Sequence, residues 1–281
     1  MKRFAMLAFL TTAPAACVSI ERATLPEPLL LDRQWAQAAP EQTRMADHAL
    51  WDAFLARYLS TDAQGVNRLD YGAVTAEDRA RLTAYLGALQ QVRPATLTRD
   101  QQLAFWINLY NAATVDTVLD AYPVDSILKI TDGLLPTGPW DRAAVTVEGE
   151  VLSLNDIEHR IIRPVYKEAR IHYALNCAAT ACPNLMPRAW RAERLEQDLA
   201  AAERAYVNDP RGVHIDGEGG LTLSKIYAWF REDFGQDEAA IIARIAQAAR
   251  PDLRARLEGR NRVDRYAYDW SLNDTANASQ E

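Results

Sequence analysis

The chain has 281 residues and a formal charge of −7, with 49% hydrophobic residues and seven tryptophans. That apolar content excludes a disordered chain and suffices for a sizeable core. The acidic balance argues against nucleic acid as a partner.

Lys2 and Arg3 open the chain, Phe4 to Leu10 form an apolar core, and Thr11 to Ala16 are small residues. That order predicts a signal peptide over residues 1–16, because the apolar core is shorter than the ~20 residues of a membrane span. Ala13-Pro14-Ala15 suits ordinary signal peptidase. Pro14-Ala15-Ala16-Cys17 is similar to a lipobox, with Pro14 where Leu or a similar residue is usual, and predicts lipidation of Cys17. Residues 17–42 read as a flexible tether. The expected location is the periplasm or cell envelope, with membrane contact only through the lipidated N-terminus.

A globular domain is expected over residues 43–274, with a short tail over 275–281. Its first helix runs from about Thr43 to Leu59, with Leu50, Phe54 and Tyr58 at helical spacing. Val66 to Tyr71 reads as a short strand, and Ala76 to Gln91 as a helix closed by Pro94. Thr98 caps a helix to about Ala121 that is apolar nearly all round, the mark of a central helix. Ala143 to Leu154 alternates about Glu148-Gly149 as a hairpin. Ser153 caps a helix over Leu154 to Ile162, which Pro164 is expected to end. Ile171 to Asn176 is a short strand or buried turn, and Arg191 to Val207 an amphipathic helix. A second hairpin covers Val213 to Leu223. Three helices follow, Ile226–Phe234, Asp237–Ala249 and Pro251–Leu257, and Tyr266 to Leu272 closes as a strand. The predicted class is α+β, a helix-dominated single domain with a small antiparallel sheet.

Five segments stand in a recognisable order: Phe105-Trp-Ile-Asn-Leu-Tyr-Asn-Ala112, Leu152-Ser-Leu-Asn-Asp-Ile-Glu-His159, Ile171-His-Tyr-Ala-Leu-Asn-Cys177 with Cys182-Pro183, Leu223-Ser-Lys-Ile226, and Tyr268-Asp-Trp-Ser-Leu-Asn273. Together they resemble the domain of unknown function 547 family, over roughly Trp51 to Asn273. The resemblance implies no settled reaction. Fusion of some family members to glutaredoxin-like modules points towards thiol chemistry.

The densest polar cluster is Glu158-His159, His172, Asn176-Cys177 and Cys182. One chemistry is a thiol nucleophile for a hydrolase or acyl/thiol transferase. Cys177 attacks as thiolate, His172 or His159 is the base, and Glu158, Asp156 or Asn108 orients the imidazole. Both histidines precede Cys177, unlike the usual order in papain-like enzymes. A second chemistry is thiol–disulfide exchange between Cys177 and Cys182, although Cys-x4-Cys is not Cys-x-x-Cys. A third is zinc on His159, His172, Cys177 and Cys182, at spacings that match no standard finger. No metal and no cofactor is expected. The bland alternative is a non-catalytic binding or scaffold domain in which these groups are satisfied core residues and Asn108 and Asn111 hold loop backbone. Ser224-Lys225 resembles a hydrolase dyad only superficially and reads as a solvated turn. The partner, substrate or protein, is an unidentified envelope component.

Overall fold

A computed structural model describes Arg22 and residues 25–41, 47–133 and 137–278. The expected signal peptide, Cys17, residues 43–46 of the first predicted helix and the end of the tail lie outside the described residues. Helix α1 (Ala49–Tyr58) runs into the hairpin β1 (Leu59–Thr61) and β2 (Asn67–Leu69), followed by α2 (Ala76–Gln90) and α3 (Arg99–Ala121). The helix starts follow from their caps. Thr75 Oγ accepts from the Asp78 amide, and Thr98 and Gln101 form a reciprocal capping box at the start of α3. Helix α3 is buried without a break from Gln101 to Val115 and is the axis of the molecule.

Strands β3 (Ala143–Val147) and β4 (Glu150–Ser153) form the predicted hairpin. Both turn residues, Glu148 and Gly149, have positive φ, as a two-residue turn matched to strand twist requires. Ser153 does start the next helix: its Oγ accepts from the Asp156 amide at 3.0 Å, and the Asp156 carboxylate accepts from the Ser153 amide at 3.0 Å. The helix then widens into a π-helical segment, Asp156–Ile162, and continues as α4 (Arg163–Tyr166). Pro164 therefore does not end it, contrary to expectation. Pro164 lies inside this continuous helix; its missing N–H leaves the Arg160 carbonyl to the Leu31 amide at 2.9 Å, and the chain stops instead at Lys167 in the left-handed region.

Ala169–Tyr173 is a buried 3-10 turn, not a strand, and leads into the cysteine loop. Helix α5 (Leu195–Val207) is followed by β5 (Val213–Ile215), β6 (Leu221–Ser224), α6 (Ile226–Trp229), α7 (Arg231–Phe234), α8 (Glu238–Ala248), α9 (Pro251–Leu257) and β7 (Arg265–Ala267). The closing strand is shorter than predicted. It pairs parallel to β6, Leu223 opposite Tyr266, beside the antiparallel pairings of β1–β2, β3–β4 and β5–β6, and the chain is the expected helix-dominated α+β domain. Beyond Ala267 the chain leaves that sheet and lies against residues 178–181. There Ala181 donates to Asp269 O, Thr180 to Ser271 O, and Asn273 to Ala178 O.

Two apolar cores result. The larger surrounds α3; the smaller lies between β5–β7 and helices α5 to α8. Trp270 and Ala202 touch both. The expected tether needs correction over Leu30 to Ala39, which is docked. Trp35 is 1% exposed and meets the Trp106 ring edge-on at 5.5 Å. The amides of Leu31 and Ala39 donate to Arg160 O and Leu97 O. A Trp side chain contributes too much burial to be left in solvent when a core lies within reach. Among the described residues no helix is long and apolar enough to cross a membrane.

Thr98→Ala removes one half of the capping box that starts the central helix. It is expected to lower unfolding stability by about 1 kcal/mol, read as a lower urea midpoint at unchanged slope. A midpoint equal to that of the wild type would contradict this assignment.

Candidate active site

Helix α3 places the cysteine loop. Asn111 Nδ2 donates to Ala174 O at 2.9 Å, and its Oδ1 accepts from the Asn176 amide at 2.8 Å. Asn176 then clamps the loop from within, accepting from the Ala178 amide at 3.0 Å and donating to Pro183 O at 2.8 Å. From outside, Arg211 donates to Thr180 O and Cys182 O, and the Tyr206 hydroxyl to Ala181 O. Ala178, directly after Cys177, has φ +61, a left-handed conformation that costs a non-glycine residue about 1 kcal/mol. The surrounding bonds over-determine it, as strained residues at functional sites require.

That turn brings the two sulfurs to 2.8 Å from each other. Both cysteines are free thiols; Cys177 is partly exposed and Cys182 is buried. The Cys177 sulfur also lies 3.0 Å from the Tyr268 hydroxyl, and the Cys177 amide donates to Cys182 Sγ at 2.9 Å. Burial by itself raises the Cys177 pKa, but hydrogen bonds from Cys182, Tyr268 and the Ala179 amide outweigh it, so the thiol sits below its ordinary value. Cys182 is pushed up, by burial and by its hydrogen bond with the Cys177 sulfur. The two thiols are thus shifted in opposite directions, Cys177 towards ionisation and Cys182 away from it. Tyr268 is pushed up as well, by burial and by the two neighbouring cysteines, and so keeps its proton.

Beside the loop lies a second polar cluster at the junction of the two cores. His172 Nε2 is 2.7 Å from Asp233 Oδ2, its Nδ1 is 3.6 Å from Glu158 Oε1, and its ring stacks on Phe230 with centroids 4.0 Å apart. Arg163 pairs with Asp233 at 2.7 Å and Glu232 at 2.8 Å, and its guanidinium lies 3.2 Å from His159 Nδ1. Burial pushes the Glu158 carboxyl up, yet the imidazoles of His159 and His172 and the Arg163 guanidinium outweigh it and hold the pKa at about 2. Asp233 is also held at about 2, because hydrogen bonds from His172 and Arg163 outweigh burial. Burial, with help from Arg163, lowers His159 to about 4 against the pull of Glu158, so it is neutral at neutral pH. Burial and the neighbouring Glu158 push the Tyr110 hydroxyl of α3 up.

The sites predicted from sequence are therefore sorted into separate places. Cys177 and Cys182 meet. His172, His159 and Glu158 share the second cluster, and neither imidazole hydrogen-bonds Cys177. Asn108 does not orient a base: its side chain donates to Trp190 O at 2.8 Å and accepts from the Trp190 amide at 2.9 Å. Asp156 belongs to the Ser153 cap. The zinc set does not converge, and among the described residues no group of three or more His, Cys, Asp or Glu side chains is placed to hold a metal ion. Ser224 is buried under the Tyr206 hydroxyl at 2.9 Å, not in a solvated turn. Sequence reasoning missed Tyr268 and Asp233. Each lies within a segment quoted above or next to one, but nothing local says which way it points.

Residues 94–207 match the family model described as "Protein of unknown function, DUF547", a span that holds α3, the π-helical segment, the cysteine loop and α5. No curated protein and no solved structure matches the chain.

The second cluster makes stability depend on acid. Glu158 and Asp233 have depressed folded pKa values, so their contribution is present above the unfolded carboxylate range and is lost as pH falls towards about 2. His159, depressed to about 4, contributes in the same direction: the unfolded chain takes up its proton first, and stability falls between the ordinary histidine range and about pH 4. Urea titrations from pH 8 to pH 3 are expected to show this two-part decline. His159→Asn should flatten the upper part and leave the lower one. An unaltered upper part in that variant would refute the assignment.

Proposed function

We propose that this chain, a member of the DUF547 family over residues 94–207, is a thiol–disulfide exchange protein in which Cys177 attacks and Cys182 resolves. One observation carries the reading: a partly exposed sulfur with a lowered pKa lies 2.8 Å from a buried sulfur with a raised one. The Cys177 thiolate attacks one sulfur of an external disulfide and forms a mixed disulfide. The other external sulfur leaves as thiolate and takes up a proton from water. Cys182 then gives up its proton, attacks the Cys177 sulfur and expels the second external thiol. Two protein thiols are oxidised and one external disulfide is reduced; the reverse steps pass the disulfide on.

A hydrolase or acyl transferase with Cys177 as nucleophile has less support. It needs an imidazole on the sulfur, and His172 and His159 are engaged by Asp233 and Arg163. The short ring closed by a 177–182 disulfide adds little to fold stability, which suits a reversible bond better than a staple. Export and lipid attachment at Cys17, read from the first residues, would put this chemistry at an envelope surface where disulfides persist.

In glutathione redox buffers, the folded protein is expected to interconvert between a dithiol and an intramolecular disulfide, followed by mass spectrometry after acid quench. Cys182→Ser should trap glutathione on Cys177, and Cys177→Ala should react with nothing until it unfolds. Tyr268→Phe removes a hydrogen bond to the thiolate of the kind that contributes about 1.5–3 kcal/mol. Alkylation of Cys177 below its pKa should then slow about tenfold or more. If neither thiol of the folded wild type reacts, the exchange reading fails and the scaffold reading takes its place.

A further inference from the structure

A chain of four aromatic rings begins at the reactive sulfur. The Tyr268 hydroxyl is 3.0 Å from Cys177 Sγ. The Tyr268 ring lies 4.7 Å from Trp270 and 4.8 Å from Trp229, and Trp140 lies 6.5 Å from Trp270. Tyr268, Trp270 and Trp140 are all partly exposed, as is Cys177. The rings thus run outward from the thiol as a continuous apolar face.

The backbone beside this face is open. Asp269 and Ser271 turn their carbonyls to the amides of Ala181 and Thr180. The Leu272 amide is taken by Asp125 O, whereas the N–H and C=O of Trp270 meet no partner among the described residues. An unpaired N–H and C=O beside a row of aromatic rings is matched by an extended peptide. Main-chain hydrogen bonds give such a peptide its affinity, and alternate side chains give it specificity. A glycan or a lipid tail would use the rings but not the backbone edge.

We propose that the face formed by Tyr268, Trp270 and Trp140 receives an extended segment of a partner polypeptide whose disulfide lies next to an aromatic or aliphatic side chain. The inference rests on the exchange reading above and names its substrate class. The apolar neighbour packs on Trp270, the peptide backbone bonds the Trp270 edge, and the disulfide crosses Tyr268 to reach Cys177. Cys177 attacks, the leaving thiolate departs protonated by water, and Cys182 completes the exchange as already described. In this arrangement Trp270 selects substrate without touching the sulfur atoms.

The test uses two extended peptides, one with Phe and Leu flanking its cysteine and one with Ser in both places, each presented as the mixed disulfide with 2-nitro-5-thiobenzoate. Release of the coloured thiol is followed in single-turnover runs with the reduced protein in excess, and its dependence on protein concentration gives a limiting rate (kcat) and a half-saturation concentration (KM). The wild type is expected to prefer the Phe/Leu peptide through KM. Trp270→Ala should raise KM for that peptide about tenfold, the equivalent of about 1.4 kcal/mol, with kcat held, so that the preference largely disappears. Trp270→Phe should restore most of it, and Trp140→Ala should give a smaller loss should Trp270→Ala fail to fold. A preference that persists in both alanine variants, or quenching of tryptophan fluorescence by an oligosaccharide and not by the peptide, overturns the proposal. If neither peptide nor the free 2-nitro-5-thiobenzoate disulfide reacts with the wild type, the exchange reading itself has failed.

Discussion

Two buried amides on one helix set the positions of almost everything around the site. Asn108 and Asn111 sit three residues apart on α3, and each offers one donor and one acceptor to a length of backbone that has no strand partner: Trp190 in one case, Ala174 and Asn176 in the other. A buried N–H or C=O left unpaired costs about 1–3 kcal/mol. The irregular chain from Ala174 to Trp190 is therefore buried where these amides, together with Arg211, Tyr206 and the closing segment, meet its backbone. The apolar girth of α3 supplies the burial, and the two amides fix the register of the loop that carries Cys177 and Cys182.

The second cluster explains why the histidines are not partners of the thiol. Glu158, Arg163, His172 and Asp233 come from the π-helical segment, α4, the 3-10 turn and α7, and they meet where the two cores join. Charges at such a depth persist only when paired, because desolvation of a lone buried ion is far more costly than its partner contact can offset. The pairing is saturated: His172 has a carboxylate near each nitrogen, and Arg163 bridges two acids and an imidazole. Such a set joins the cores and leaves no base for Cys177. Polarisation of the sulfur must come from its own surroundings, and it does, through a second thiol, a tyrosine hydroxyl and a backbone amide. The wide π turn places Glu158 and His159 on the buried side together, an arrangement often found at functional sites.

The closing segment after β7 then has three roles at once. Its backbone ties the cysteine loop at Ala178, Thr180 and Ala181. Tyr268 contacts the sulfur, and Trp270 packs against both cores while part of its ring stays exposed. Alternation of side chains along an extended chain makes this possible, since Tyr268 and Trp270 share one face while Asp269 and Ser271 face away. Reactivity and the open aromatic face are thus consequences of the same few residues.

Sequence alone determined the features that rest on local physics. The Thr98 cap and the unbroken apolar girth of α3, the Glu148-Gly149 turn, the Ser153 cap and the α+β class all follow from periodicity, capping and turn chemistry within a few residues. Sequence also marked Cys177 and Cys182 as the residues to watch. Tertiary structure decided what those residues touch. Trp35 turned a polar stretch into a docked segment, and the π turn carried the helix through Pro164. His172 went to an aspartate 61 residues further on, and Tyr268 reached Cys177 across 91 residues. Local rules specify backbone conformation, whereas hydrogen-bond partners of buried polar groups are settled by which surfaces the cores bring together, and that is a property of the whole chain.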